Sequence, residues 1–295
     1  MRVTEGTMAN MSLNNLQQIR QRLDDLQTQV STQRKVNNPG DDPLTAQQIL
    51  GLQGQLSDGD QYTKNISTGR SVLSTMESAL ASMGDSLTRL KEIGTQMANG
   101  TYSADQRSQA SVEVTQIKEQ LISLGNTQFG GRYVFGGSKN DAPPFDTSGA
   151  YNGNDADISI NIDKSNSVVI NYSGGKLLSG TGGGTDVSVI GTIDKLNLAL
   201  NNNDQTGIQN TLSDLDKSMN QVLSARTDIG AKSNRLDSAQ NLIDNTQLFL
   251  QKALSDKQDV DFTKAVSDLT QQQTAFEAAL AATAKVSKMS LLDYL

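Results

Sequence analysis

The sequence predicts a mainly α-helical fold, a rod of long paired helices drawn from the N- and C-terminal segments together, which carries a central β-rich domain. Two observations predict it. Apolar residues recur at heptad spacing towards both ends of the chain, whereas residues 129–190 are rich in Gly, Asn, Ser and Asp. The low shares of hydrophobic (35%) and aromatic (4%) residues favour thin helix–helix seams over one thick core.

Three helices are predicted before the β-rich segment. A first apolar stripe ends at the turn of residues 39–43, where two prolines interrupt the helical pattern. A second stripe, residues 62–97, keeps heptad register for about five repeats and includes three methionines as core filler. Ser103 then opens a third helix as its N-cap, with Gln106 as the capping-box partner three residues later.

Two glycines in the second stripe leave two interpretations open. Gly69 and Gly94 mark either a close approach between helices or a weak point in the helix. The sequence does not decide between them.

The middle segment contains four short runs of β character. These are RYVF, ISINI, VVINY and DVSVI, and in the second run isoleucines alternate on one face, as a half-buried strand requires. Six of the twelve aromatic residues lie between Phe129 and Tyr172. The insert is therefore predicted to have a small β core of its own.

A strict seven-residue repeat returns after the insert and predicts one long helix over residues 204–255. The break SDKQDVD follows, and a last helix then continues the same spacing. The repeat positions are Ile208, Leu215, Val222, Ile229, Leu236, Ile243 and Leu250.

Composition excludes several classes of function. The chain has no Cys and no His, so it lacks thiol nucleophiles, disulfides, the usual zinc ligands and the commonest general base. A net charge of −7 and a pI near 4.7 argue against nucleic acid as a partner. No run approaches the ~18 apolar residues of a membrane span, and the first residues lack the apolar stretch of a cleaved signal peptide.

No catalytic, cofactor-binding or metal site is predicted, so we do not expect an enzyme. Asp41 and Asp42 lie between prolines without a nearby His, and Asp before a helix is explained as an N-cap. The GTGGGT run at residues 180–185 lacks the Lys-Ser/Thr of a phosphate loop and is interpreted as a flexible turn. The segment NGNDADISINID lacks the ligand order of a calcium loop and is interpreted as a solvated turn.

The candidate functional residues are the apolar stripes at the two ends of the chain. They either pack on each other within a monomer or form an assembly interface with other subunits; we favour assembly. The residues are Leu16, Ile19, Leu23, Leu26, Val30, Phe262, Val266, Leu269, Phe276, Leu280, Val286, Leu291, Leu292, Tyr294 and Leu295.

Three blocks of sequence resemble the hook-filament junction protein of the bacterial flagellum, also called hook-associated protein 3, within the flagellin-like superfamily. The first is LQTQVSTQRKVNNPGDDP, in which Gln33 and Gly40 replace the usual Gly and Ser. The second, SLGNTQFGGRYVFGGSKNDAPPF, is the most distinctive. The third runs from LSDKQDVDFTKAV to the final LLDYL.

The resemblance implies three kinds of segment. Residues 1–43 and 255–295 would be terminal helices, disordered in the monomer, that form an inner tube on assembly. Residues 44–128 and 191–254 would be the helical rod domain, and residues 129–190 the inserted outer domain.

The resemblance also implies a secreted structural subunit. It would be exported through the flagellar type III apparatus, guarded by a cytoplasmic chaperone that binds its C-terminal region, and would function outside the cell in the flagellum. There it would form a ring of identical subunits between hook-associated protein 1 and flagellin, with no cofactor. Flagellin itself and, less favoured, a cytoplasmic helical scaffold are the alternatives.

Overall fold

The computed structural model describes the backbone of residues 5–183 and 186–292, and the side chains of residues 7, 10–183 and 186–285. These residues form six α-helices: α1 (Glu5–Thr32), α2 (Pro43–Met97), α3 (Ala104–Gly125), α4 (Val189–Asn201), α5 (Gln205–Gln258) and α6 (Phe262–Leu292). Between α3 and α4 lie four short strands, β1 (Gln128–Phe129), β2 (Arg132–Tyr133), β3 (Ser159–Asn161) and β4 (Ser167–Val169), and one π-helical turn at Gly175–Ser179. The predicted class, mainly α with a small β insert, is confirmed.

The chain divides into two compact units. The terminal unit comprises Met1–Asp58 and Asn245–Leu295, and the central unit comprises Gly59–Asp244. Both α2 and α5 contribute residues to each unit, whereas the sequence places the limits of the terminal segments at the turns near residues 43 and 255.

In the central unit, α2 and α5 run antiparallel. Early residues of α2 pair with late residues of α5: the guanidinium of Arg70 contacts Asp237, and Lys91 Nζ lies 2.5 Å from Asp216 Oδ1. The second helix pair, α3 and α4, is also antiparallel, with Lys118 Nζ 2.6 Å from the Asp194 carboxylate. These surface ion pairs are consistent with the antiparallel alignment, while burial of the apolar seams supplies most of the stabilisation.

The heptad positions are buried as the sequence predicts. On α2 these include Ile66, Leu73, Met76, Leu80, Met83, Leu87, Leu90 and Met97, and on α5 all seven repeat residues from Ile208 to Leu250. A side chain every seventh residue stays on one face of a helix, so each long helix presents a continuous apolar seam.

The structure resolves the question of the α2 glycines in favour of close approach. A Cβ atom at Gly69 would lie 2.5 Å from Ile160 Cδ1 of the insert, and one at Gly94 would lie 2.9 Å from Leu212 Cδ2 of α5. Both positions therefore allow neighbouring side chains to reach the surface of α2.

Three of the four predicted β runs contain strands, and the fourth is wrong. β1 pairs antiparallel with β2, and β3 pairs antiparallel with β4. The run DVSVI is instead the start of α4, because the Ser188 hydroxyl caps the helix by accepting a hydrogen bond from Gly191 N at 3.0 Å. A Ser cap followed by apolar residues at helical spacing was the signal for this helix.

The insert does not have a core of its own, contrary to the sequence prediction. Phe135, Phe145, Val168 and Leu177 are buried in the same apolar cluster as the helix seams. Two-stranded hairpins of two or three residues cannot enclose a separate core, so their apolar side chains pack on the helices instead.

Side-chain hydrogen bonds to the backbone hold the insert in place. The Tyr151 hydroxyl donates to Asn154 O at 2.8 Å, and the Asn126 amide both donates to Phe145 O and accepts from Phe145 N at 2.9 Å. From α5, buried Gln221 donates to Lys176 O at 2.7 Å. These bonds satisfy loop carbonyl and amide groups that no sheet supplies.

A buried arginine ties together the loops at the end of the central unit where α2 ends and α5 begins. Arg107 is 4% exposed; its guanidinium donates to Met97 O and Asn99 O at 3.0 Å and to the Asn203 side chain. It follows the predicted Ser103–Gln106 capping box, which is confirmed in both directions. The planar guanidinium holds its five N–H donors in a fixed fork, so it can reach acceptors in both loops, including Asn203, at once.

We predict that Gly69→Val destabilises the protein by about 1–3 kcal/mol, because the added side chain overlaps Ile160 and the seam must move. The matched control is Gly84→Val in the same helix, where a Cβ meets nothing within 4 Å and the change is expected to be close to neutral. Denaturant unfolding of the full chain measures both. Equal destabilisation by the two variants would contradict the close-approach interpretation.

We predict that thermal stability is flat between about pH 5.5 and pH 8 and falls below about pH 4. The chain has no His or Cys, the groups that ordinarily titrate in the neutral range. Hydrogen bonds from Thr45, Ser148 and Asn166 lower the pKa values of Asp42, Asp146 and Asp163, respectively.

The sign follows from the direction of these shifts. A depressed pKa in the folded state stabilises the fold above the unfolded-state pKa of about 3.9, and this stabilisation is lost as pH falls through the folded value. Circular-dichroism melts across pH 3–8 measure it. A melting temperature that changes as much between pH 6 and pH 8 as between pH 4 and pH 3 would be the contrary result.

Candidate assembly interface

The candidate interface lies on α1 and α6, which form an antiparallel pair within the terminal unit. The Gln272 amide donates to Ile19 O at 3.3 Å, and Ala265 near the start of α6 is the most buried apolar residue of that helix among its described side chains, at 3% exposure. The two terminal stripes are thus brought together in one chain.

Backbone hydrogen bonds between the connectors set the register of this pair. Lys35 N donates to Gln258 O at 2.7 Å, and Val260 N donates to Gln33 O at 3.1 Å. Arg34 and Asp259 form an antiparallel bridge between these bonds. The segment that follows α1 is therefore hydrogen-bonded to the segment that precedes α6.

The Asp-Asp pair after the first proline is structural, as the sequence predicts. Asp42 Oδ1 accepts from Thr45 N at 3.1 Å and so caps α2, whose first residue is Pro43. Asp41 Oδ2 accepts from Asn38 N at 3.1 Å and closes the preceding turn. The two carboxylates act on separate backbone amides and do not form a shared site.

The α1 stripe is only partly covered. Its five candidate residues, Leu16, Ile19, Leu23, Leu26 and Val30, are all of intermediate burial. A helix that is apolar on one stripe and packed against a single partner helix leaves part of that stripe in contact with solvent. Pairing with α6 alone therefore leaves part of the apolar stripe of α1 exposed.

The α6 stripe is more exposed. Phe262 is 52% exposed, Val266 38% and Leu280 46%, whereas Leu269 and Phe276 are of intermediate burial. The side chains of Val286, Leu291, Leu292, Tyr294 and Leu295 lie outside the described residues.

Other exposed apolar side chains in the terminal unit were missed by the sequence analysis. On α2 and α5 they are Leu44, Leu50, Leu248 and Phe249, with Phe249 73% exposed, and on α1 they are Met11 and Leu13. They fall outside the heptad positions, so periodicity gave no signal for them. Exposed apolar side chains in this number favour a binding surface.

The ion pairs are distributed unevenly between the units. All eight ion pairs found among the described residues lie within the central unit. In the described part of the terminal unit, charged side chains such as Arg20, Arg22 and Glu277 make no ion pair. Both apolar and charged groups of this unit are therefore open to a partner.

Two other kinds of site are absent from the described residues. No cluster of three or more acidic side chains with metal-binding geometry was found there. No described helix is long and apolar enough to cross a membrane.

Comparison with known proteins identifies the architecture. Residues 3–140 match the family model of the bacterial flagellin N-terminal helical region, and residues 212–295 match that of the C-terminal helical region. The flagellar hook-associated protein 3 of Escherichia coli is 29% identical over 286 residues, and that of Salmonella typhimurium 27%, each alignment covering 90% of both chains. The chain belongs to the hook-associated protein 3 family of the flagellin-like superfamily.

Solved structures of this family share the fold. The structure of a putative flagellar hook-associated protein from Vibrio parahaemolyticus is 28% identical, with a TM-score of 0.68 over 74% of this chain and 100% of that one. FlgL of Bacillus cereus is 25% identical, with a TM-score of 0.61 over 70% of this chain and 99% of that one. The family members are structural proteins of the bacterial flagellum, which places this subunit in that organelle.

We predict that Gln33→Gly stabilises the terminal unit by up to about 1 kcal/mol. Gln33 follows α1 with φ +57°, a left-handed conformation that costs a non-glycine residue about 1–2 kcal/mol, partly offset by the freedom of glycine in the unfolded chain. Hydrogen exchange of α1 amides measures the change.

The matched control for this prediction is Gln27→Gly in the exposed interior of α1, which should destabilise the helix by about 1 kcal/mol. Faster exchange in both variants would show that the left-handed turn at Gln33 is not a source of strain.

Proposed function

We propose that this protein is the hook-filament junction subunit, which assembles between hook-associated protein 1 and flagellin through its terminal helices. The observation that carries the proposal is the similarity to hook-associated protein 3 over 90% of the chain. It is supported by the pairing of α1 with α6 as amphipathic helices that leave apolar side chains exposed.

The partial burial of α1 and α6 favours assembly with other subunits over a helical hairpin that is stable within the monomer. Leu23 and Leu26 of α1 are half-buried and Phe262 of α6 is half-exposed in the single chain. Burying more of this apolar surface against neighbouring subunits releases about 25 cal/mol per Å². The terminal helices thus gain stability on incorporation, and their ordering is coupled to assembly.

The partners belong to this proposal. They are hook-associated protein 1 on one side, flagellin on the other, identical subunits around a ring, and an export chaperone that covers the C-terminal region before secretion through the flagellar type III route. The protein has no enzymatic role in this scheme, because its task is to provide two different binding surfaces.

Flagellin is the second candidate. A specific observation favours it: flagellin FlaB2 of Treponema pallidum is 27% identical over 274 residues, with 90% of both chains covered. The two functions differ in abundance and position, since a filament subunit is the bulk protein and a junction subunit occurs only at the filament base. The similarity to flagellar proteins along most of the chain argues against a cytoplasmic scaffold.

The test is deletion of the gene with complementation. We expect the deletion strain to keep its hooks, to lack filaments and to shed monomeric flagellin into the medium, as measured by electron microscopy and assay of the culture supernatant. A deletion strain with normal filaments would refute the junction function, and loss of the bulk filament protein itself would identify a flagellin.

Complementation variants test the interface. Leu23→Asp with Leu26→Asp places two charges on the half-buried α1 stripe and should abolish filament attachment. Gln17→Asp with Gln21→Asp places the same two charges on the opposite, exposed face and should retain it. An unchanged melting temperature of the central unit distinguishes loss of assembly from loss of folding.

A further inference from the structure

The central unit contains a groove that the terminal interface does not use. It has a volume of about 280 Å³ and lies between the β1–β2 hairpin, the ends of the β3–β4 hairpin and α2. Its apolar lining includes Val72, Phe129, Ile158 and Ile170, and Arg132 lines it as a cation. Phe129 is 37% exposed in this groove.

The hairpin places an aromatic ring and a guanidinium side by side. Phe129 and Arg132 are directly paired residues of β1 and β2. Side chains opposite each other in an antiparallel pair project from the same face, with Cβ atoms about 4.5–5.5 Å apart. The groove therefore offers an apolar surface and a positive charge to one ligand.

Arg132 differs from the other arginines of the central unit. Arg70, Arg89 and Arg226 form ion pairs, Arg107 is hydrogen-bonded within the core, and Arg235 lies close enough to Asp163 to lower its pKa. The guanidinium of Arg132 has no ion pair or hydrogen bond with any residue that the structure describes. An exposed cation beside an apolar groove fits a partner that presents an apolar side chain and a carboxylate.

The exposed face of α3 presents both an apolar side chain and carboxylates. Asp105, Val112 and Glu119 are spaced by seven residues and so form one stripe, in which Val112 is 58% exposed. Charges at the edges of the stripe are neutralised within the chain, since Glu113 pairs with Arg89 and Lys118 with Asp194. Neither Asp105 nor Glu119 has an ion pair among the described residues.

We propose that the Phe129–Arg132 groove of one subunit binds the Val112–Glu119 stripe on α3 of a second copy of this chain. Both surfaces belong to the same compact unit and are open to solvent in it, so the contact joins two molecules. Because two different surfaces meet, the contact is head-to-tail and repeats around a ring or along a helix.

The contact is weak in free subunits and becomes effective in the assembly. It combines one exposed ion pair with a small apolar groove, and such a contact alone does not hold a stable dimer. Neighbours already held by their terminal helices meet at a high effective concentration. In this respect the inference rests on the proposed function, while the contact itself can be measured separately.

Cross-linking of the full chain tests the contact, because the protein has no native Cys. Thr68→Cys lines the groove, and Gln116→Cys lies one turn after Val112. Mixed at high concentration with a short bis-maleimide, the two variants should give on the order of tenfold more heterodimer than Thr68→Cys with Thr227→Cys. Thr227 is a matched control because it lies one turn after Leu223, which is also 58% exposed.

Charge exchange identifies the ion pair. Arg132→Glu in the groove subunit or Glu119→Arg in the stripe subunit should reduce the heterodimer to the control level, and the two together should restore it. Lys164→Glu, at another exposed cation, should have no effect. Equal yields for the two cysteine pairs, or yields insensitive to Arg132→Glu, would overturn the proposal.

The same variants in isolated flagella separate this inference from the proposed function. Cross-linking of Thr68→Cys to a different protein, and not to Gln116→Cys, would assign the groove to another partner and refute the self-contact. A deletion strain with normal filaments, in contrast, would refute the junction function and leave the cross-linking result of the purified chain unaffected.

Discussion

The apolar seam between α2 and α5 is the constraint on which the central unit depends. Each helix offers buried side chains at heptad spacing, and the Lys91–Asp216 ion pair shows the antiparallel alignment that this seam produces. Because α2 and α5 lie on opposite sides of α3, the insert and α4 in sequence, their pairing brings the two ends of that segment together. The hairpins, the π-helical turn and the α3–α4 pair then pack against the paired α2 and α5 helices.

The insert depends on that framework for its stability. Its strands have only two or three residues, and its buried aromatic side chains, Phe135 and Phe145, pack into the helical cluster. Polar side chains from the helices, such as Asn126 and Gln221, satisfy loop backbone groups. An insert built in this way can vary in sequence at its surface as long as these attachment points are kept.

The terminal unit, in contrast, leaves part of its apolar surface uncovered in the single chain. Its helices pair through amphipathic stripes, but Phe262 and Leu280 remain about half exposed and no described charged residue forms an ion pair there. A central unit that is complete in the single chain, joined to terminal helices that are not, suits a subunit that must fold alone and then bind neighbours. The exposed Phe129–Arg132 groove adds a second binding surface on the folded part.

The sequence alone predicted five of the six described helices, their buried faces, the Ser103 cap and the family, because heptad spacing, capping residues and motif blocks are local signals. It did not determine that Val189 starts a helix, that the insert shares the helical core, or that Gly69 receives Ile160. These depend on which distant residues meet, and burial against a distant partner overrides the local β preference of a short apolar run. The exposure of Phe249 and the lack of an ion pair at Arg132 among the described residues likewise depend on the tertiary structure, because the packing of distant segments decides which side chains are covered.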